Sequence, residues 1–124
     1  MDMNESHEPQ ALTGTDAEIH ELAQGVFEEV MAAHEEADYA RLKPLLSDEM
    51  AQALSEEAFE DIIAEHLAAL GDLAGTEYLG NLHKADATQV LWKARYAGTD
   101  AEVLWQIFLA REGEALKVVG LLFS

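Results

Sequence analysis

Residues 90–123 read VLWKARYAGTDAEVLWQIFLAREGEALKVVGLLF, a series of β-rich runs broken by two turn-like dipeptides. Gly98-Thr99 suits a type II′ turn with glycine at the first central position, and Glu112-Gly113 reads as a second two-residue turn. These turns set a register. The first places Val90 opposite Ile107, Trp92 opposite Trp105 and Ala94 opposite Val103. The second places Ile107 opposite Val118, Trp105 opposite Gly120 and Leu109 opposite Leu116. Side chains alternate across a strand, so one face collects Val90, Trp92, Ala94, Val103, Trp105, Ile107, Leu109, Leu116, Val118 and Leu122. A slip of one residue would mix this set with the charged one, so burial supports the turn-derived pairing.

Working back towards the N-terminus, residues 76–84 read as a first strand with Tyr78, Gly80 and Leu82 on the apolar face. The loop Ala85-Asp86-Ala87 has no glycine to fix that register. A shift of one residue would bring Glu77, Asn81 and His83 inward. The opposite sheet face pairs Arg95 with Glu102 and carries Lys93, Gln106 and Lys117, yet Leu79, Leu91, Leu104, Phe108, Val119, Leu121 and Phe123 share it. A sheet covered by helices on one side normally keeps its other face wet. So many large apolar residues there point to a partner surface. The expectation is a homodimer joined through Leu91, Lys93, Arg95, Leu104, Gln106, Phe108, Val119 and Leu121, unless the C-terminal strand or the tail covers part of the face.

Before the strands come helices, each with a readable start. Thr15 and Glu18 form a capping box. Ile19, Leu22, Ala23, Val26, Phe27, Val30 and Met31 then mark one apolar stripe running to about residue 35. Asp38 caps a shorter helix, Tyr39 to about Leu46, in which Pro44 removes one backbone bond. Ser47-Asp48 opens a brief turn to Leu54. Ser55 caps the last helix, whose stripe is Phe59, Ile62, Ile63, His66, Leu67 and Leu70, with Gly71 placed for a left-handed end. Residues 1–15 show no periodicity and are expected to be a disordered tail, leaving 16–124 as the folded domain.

The 124 residues are 49% hydrophobic, which suits one domain with its own core. There is no cysteine, so disulfides, zinc-thiolate sites and thiol catalysis are excluded. Acidic residues number 25 against 7 basic, a net charge of -18, which repels nucleic acid and anionic membranes. The acids concentrate in the helical half. No apolar run is long enough for a membrane span and the N-terminus lacks a basic leader, so the expected location is cytoplasmic. No metal-ligand spacing, phosphate loop or dinucleotide fingerprint is present, and neither metal nor cofactor is expected.

Three helices followed by a curved four-stranded antiparallel sheet is an α+β order that resembles the NTF2-like (cystatin-like, SnoaL-like) superfamily. The residues that carry the resemblance are Asp38-Tyr39-Ala40-Arg41-Leu42-Lys43-Pro44-Leu45-Leu46-Ser47-Asp48, with the strand texts Val90–Tyr96, Trp105–Phe108 and Leu116–Gly120. The match spans about residues 16–124 and looks closest to small bacterial members of unknown function. It implies a cone whose sheet wraps the helices and leaves a pocket at the open end, and dimers packed sheet to sheet. Such a pocket would be lined by Phe27, Phe59, His66, Tyr78, Trp92, Tyr96 and Trp105, and its mostly apolar character suits a small hydrophobic ligand. Enzymes of the superfamily place a carboxylate or histidine there, and His66 is the one catalytic candidate on an apolar stripe, with Tyr78 or Tyr96 as a hydrogen-bond donor. Three readings follow: a non-catalytic ligand-binding homodimer, a SnoaL-like isomerase or lyase using His66, and an interaction module docking through its acidic helical half.

Overall fold

The computed structural model describes residues 9–124; residues 1–8 of the expected tail lie outside the described residues. Helix α1 spans Asp16–Glu35, α2 spans Tyr39–Leu42, α3 spans Asp48–Ala53 and α4 spans Glu56–Ile62. The strands are β1 (Pro9–Gln10), β2 (Leu73–His83), β3 (Thr88–Tyr96), β4 (Val103–Glu112) and β5 (Ala115–Phe123). The helices pack against one face of a curved antiparallel sheet, an α+β half-barrel.

Every helix starts where a side-chain oxygen can satisfy an orphan amide. Thr15 and Glu18 close their capping box at 3.1 and 2.8 Å. Asp38, Ser47 and Ser55 accept from the amides of Arg41, Met50 and Ala58. The helix expected from Tyr39 to about Leu46 is shorter: α2 stops at Leu42, and the chain finishes that segment as a 3-10 turn over Lys43–Leu45 that contains Pro44. The segment after Ser47, expected as a brief turn, forms the short helix α3. After Ile62 the backbone widens into a π turn over Ile63–Leu67, then tightens over Ala68–Leu70 before Gly71, at φ 83, ends the helical run.

The sheet runs β2-β3-β4-β5, and β1 pairs with the far end of β4, where Glu112 and Arg111 meet Pro9 and Gln10. The N-terminal segment is therefore docked from Pro9 onward, in contrast to the expected loose tail through residue 15. Leu12 is buried, and its amide donates to the buried Thr88 hydroxyl at 2.9 Å. Replacing Thr88 by Val is expected to cost about 1–3 kcal/mol, because the Leu12 amide loses its acceptor in a buried place. Urea unfolding measures the loss, and unchanged hydrogen-exchange protection of the Leu12 amide in the variant would contradict it.

The β3–β4 register is the expected one: Val90 opposite Ile107, Trp92 opposite Trp105, Ala94 opposite Val103. The turn that makes it is different. Gly98 is not among the positive-φ glycines, so no type II′ turn forms, and residues 97–102 make a longer loop. The Gly98 amide is taken by the Leu70 carbonyl at 2.7 Å, and a Cβ on Gly98 would lie 2.6 Å from that oxygen. Close approach to the end of the helical run, rather than turn conformation, makes this position glycine. On the sheet's other face, Glu102 meets Lys93 at 3.5 Å instead of the expected Arg95.

Two bulges correct the other registers. In β2, Tyr78 faces Trp92, but Gly80 then faces Leu91 and Asn81 faces Val90. The extra residue is Leu79, and Gly80 absorbs the distortion at φ 152. Asn81 and His83 consequently share the inner register while Tyr78 keeps it and Glu77 stays outside. In β5, the hairpin turns at Gly113-Glu114, with Gly113 at φ 67, one residue later than expected. Leu109 then faces Val118, not Leu116, and a bulge at Val119 sets Ile107 opposite Leu121 and Trp105 opposite Phe123. Leu121 and Phe123, expected on the outer face, therefore turn inward, and Leu122 turns out.

Candidate functional site

The inner face of the sheet meets α1 and α4 through aromatic rings. Phe27 stacks on Trp92 with centroids 4.1 Å apart and planes 3° from parallel. Trp105 stacks on Phe123 at 4.9 Å. His34 presents edge contacts to Phe59 at 4.9 Å and to Trp105 at 5.2 Å. Their polar atoms are spent internally. The Trp105 indole donates to the Tyr96 hydroxyl at 3.0 Å, and the Trp92 indole donates to Gln24 Oε1 at 3.0 Å. Phe27, Phe59, Trp92 and Trp105 are fully buried, so these expected pocket-lining residues are one another's packing partners.

His66 is not brought to them. It lies exposed on the π turn, its ring 6.4 Å from that of Phe123. The stripe arithmetic from Phe59 assumed a regular helix. A π turn carries more residues per revolution, so beyond Ile62 the buried side passes to Leu67 and His66 turns outward. The buried histidine is His34. Its Nδ1–H donates to the Val30 carbonyl at 2.7 Å, and burial pushes its pKa below the usual imidazole value despite that bond. Its spacing gave the signal, since it stands three residues after Met31 and four after Val30 on the same stripe.

The bulge in β2 gathers a second polar group. His20 stacks face to face on Tyr78 at 3.7 Å, and Asn81 Nδ2 donates to the Tyr78 hydroxyl at 2.6 Å. Asn81 Oδ1 is buried without a partner. Acid–base catalysis needs a proton acceptor within hydrogen-bond reach of the reacting group. The His20 ring offers its π face rather than a nitrogen to Tyr78, and Glu77 lies on the other sheet face beside Lys93 at 3.5 Å. Among the described residues no group of three His, Cys, Asp or Glu could hold a metal ion.

The outer face has a different character. Leu79, Leu82 and Leu122 are 50%, 50% and 55% exposed, and Leu91, Leu104 and Phe108 lie half-buried beside them. Phe108 sits against Gly120, where a Cβ would come within 2.9 Å of its ring. The polar groups of this face answer one another: Gln89 donates to Gln106 at 2.6 Å, and Lys93 lies between Glu77 and Glu102. Of the residues expected at a dimer interface, Leu91, Lys93, Arg95, Leu104, Gln106 and Phe108 share this face, Val119 is the bulge residue and Leu121 points inward.

The helical side carries the acids. Arg41 forks onto Glu29 through two bonds of 3.0 Å and onto Glu36 at 3.1 and 3.2 Å, tying α2 to α1. That pairing holds the Glu29 carboxyl below its usual range and raises the Arg41 pKa. Comparison with protein-family models, with curated proteins and with solved structures returned no match. The architecture and side chains define a small α+β domain in which helices pack on a curved antiparallel sheet.

Proposed function

We propose that this protein is a non-catalytic NTF2-like domain that works as a homodimer joined through the outer face of its sheet. The carrying observation is that Leu79, Leu82 and Leu122, each at least half exposed, all stand on that face. Charge selects a second copy as the occupant. The chain's net charge is -18, so two copies repel across most of their surfaces. The outer face is the exception, with Lys93 set between Glu77 and Glu102 and Arg95 exposed on the same face. Its amides are already paired as Gln89 to Gln106, so covering them leaves no orphan. The non-catalytic part of the reading is supported by the filled interior and by the exposed position of His66. Phe27, Phe59, Trp92 and Trp105, the expected lining of a ligand pocket, are spent on packing against neighbouring rings.

Size-exclusion chromatography with light scattering, backed by native mass spectrometry, tests the reading. The expected result is a dimer for the parent chain, tightening as salt is raised from roughly 0.05 to 0.5 M because screening weakens the repulsion. Leu79→Glu with Leu122→Glu should weaken the dimer by at least about 100-fold, because it buries unpaired charge. Both sites are exposed in one chain, so the variant should keep its far-UV spectrum. A monomeric parent at high protein concentration and high salt would overturn the proposal, as would an unweakened dimer in the double variant.

A further inference from the structure

The cations of the outer sheet face are unevenly spent. Lys93 reaches both Glu77 and Glu102 at 3.5 Å. Arg95, exposed near the end of β3, meets no carboxylate among the described residues. Its guanidinium lies over Gly75 instead, where a Cβ would come within 2.7 Å of Nη2. Glu102 is half exposed and stands just before β4, at the end of the sheet where Ala94 pairs with Val103. An unpaired arginine in a chain of net charge -18 thus lies on the face that a second copy covers. Close to Glu102 a cleft of about 200 Å3 opens on the same face, between Leu79, Lys93 and Leu104.

We infer that the two copies are related by a twofold axis running along the strands between β3 and β4, so that Arg95 of each copy pairs with the partner's Glu102. This rests on the dimer reading of the outer face and adds which residues choose the pairing. A twofold in the plane of two facing sheets runs either along the strands or across them. Along the strands, β3 lies over the partner's β4 at the same level, and β2 over the partner's β5. Two Arg95–Glu102 contacts then form, because the Ala94–Val103 register puts these residues level on neighbouring strands. Leu79 comes close to the level of the partner's Leu122, since Gly80 faces Leu91, Leu91 faces Gln106 and Gln106 faces Leu122. The partner's Leu104 comes over Lys93, at the mouth of the cleft. Across the strands, β3 would face the partner's β3, whose outer residues Gln89, Leu91, Lys93 and Arg95 include no acid. That arrangement sets cations against cations and leaves Arg95 unpaired, so charge selects the first.

Mixing two charge-reversed variants tests the arrangement. Arg95→Glu and Glu102→Arg should each dimerise about tenfold more weakly than the parent at low salt, because each homodimer sets two like-charged pairs together. Mixed in equal amounts, the two chains should prefer the heterodimer, in which both pairs are again opposite in sign. Native mass spectrometry counts the three species. The squared heterodimer population over the product of the homodimer populations should stand at least about 30-fold above its random value. The preference should fade as salt is added. Lys43→Glu and Glu57→Arg make the same changes in net charge on the helical side and should pair at random. All four positions are exposed in one chain, so each variant should keep the far-UV spectrum of the parent. A dimeric parent whose Arg95→Glu and Glu102→Arg variants pair at random would overturn the arrangement and leave the dimer reading standing. An equal heterodimer preference in the control pair would do the same, because net charge alone would then explain it. A monomeric parent would overturn both.

Discussion

Trp92→Ala is expected to lower the unfolding free energy by about 3–5 kcal/mol, at the upper end for removal of a buried side chain. Trp92 is fully buried, stacked flat on Phe27, edged by Tyr78 at 6.1 Å and bonded through its indole to Gln24. Truncation therefore removes an aromatic stack, opens a cavity and frees the Gln24 acceptor together. For a domain of this size the melting temperature should fall by roughly 10–20 °C. Trp92→Phe keeps a ring against Phe27 and should lose less than half as much. The same experiment separates a packed interior from a ligand pocket. A cavity opened in an apolar core takes up a small aromatic guest. Indole should therefore raise the melting temperature of Trp92→Ala and leave the parent unchanged. If indole stabilised the parent as strongly as the variant, the interior would already hold a site, and the pocket reading would return.

The reasons that Trp92 could be placed from sequence also show where such reasoning stops. Its partner Trp105 follows from alternation alone, since β3 and β4 run without interruption between Ala94 and Val103 at one end and Thr88 and Leu109 at the other. Period-2 arithmetic holds only while both strands advance together. The single extra residues at Leu79 and Val119 break it, and neither announces itself by residue type. Gly80 was the available sign in β2, because a glycine inside a strand often marks a bulge. Helix starts were readable because each depends on one local hydroxyl or carboxylate. His66 was misplaced because a π turn changes the angular step without changing the hydrophobic pattern. The apolar outer face was visible in outline, with Leu121 and Leu122 exchanged by the β5 bulge. The Arg41 fork was not visible, since the sequence shows two equivalent acidic pairs and only the tertiary contact singles out Glu29 and Glu36.

The protein is expected to lose stability through His34 as the pH falls below about 6.5, the ordinary imidazole value. His34 is buried between Phe59 and Trp105, and burial lowers its folded pKa, so the unfolded chain takes up the proton first. Wherever the unfolded state binds more protons, stability rises with pH. The His34 contribution is thus fully present above the ordinary value and is lost on acidification until the folded pKa is reached. The slope in that window approaches about 1.4 kcal/mol per pH unit. A background trend opposes it, because acidification relieves the repulsion of a chain with net charge -18. The Glu18 and Glu29 carboxyls, both held below their usual values, add acid sensitivity only at and below the carboxylate range. The diagnostic quantity is therefore the difference between the parent and His34→Gln, which keeps a donor near Val30 and does not titrate. Urea unfolding of both at steps from about pH 7.5 to 5 should show the parent losing ground against the variant only below 6.5. Parallel curves would mean that His34 is protonated as easily in the folded chain as in the unfolded one. That outcome would require water at the Phe59–Trp105 edge, where the structure packs aromatic carbon.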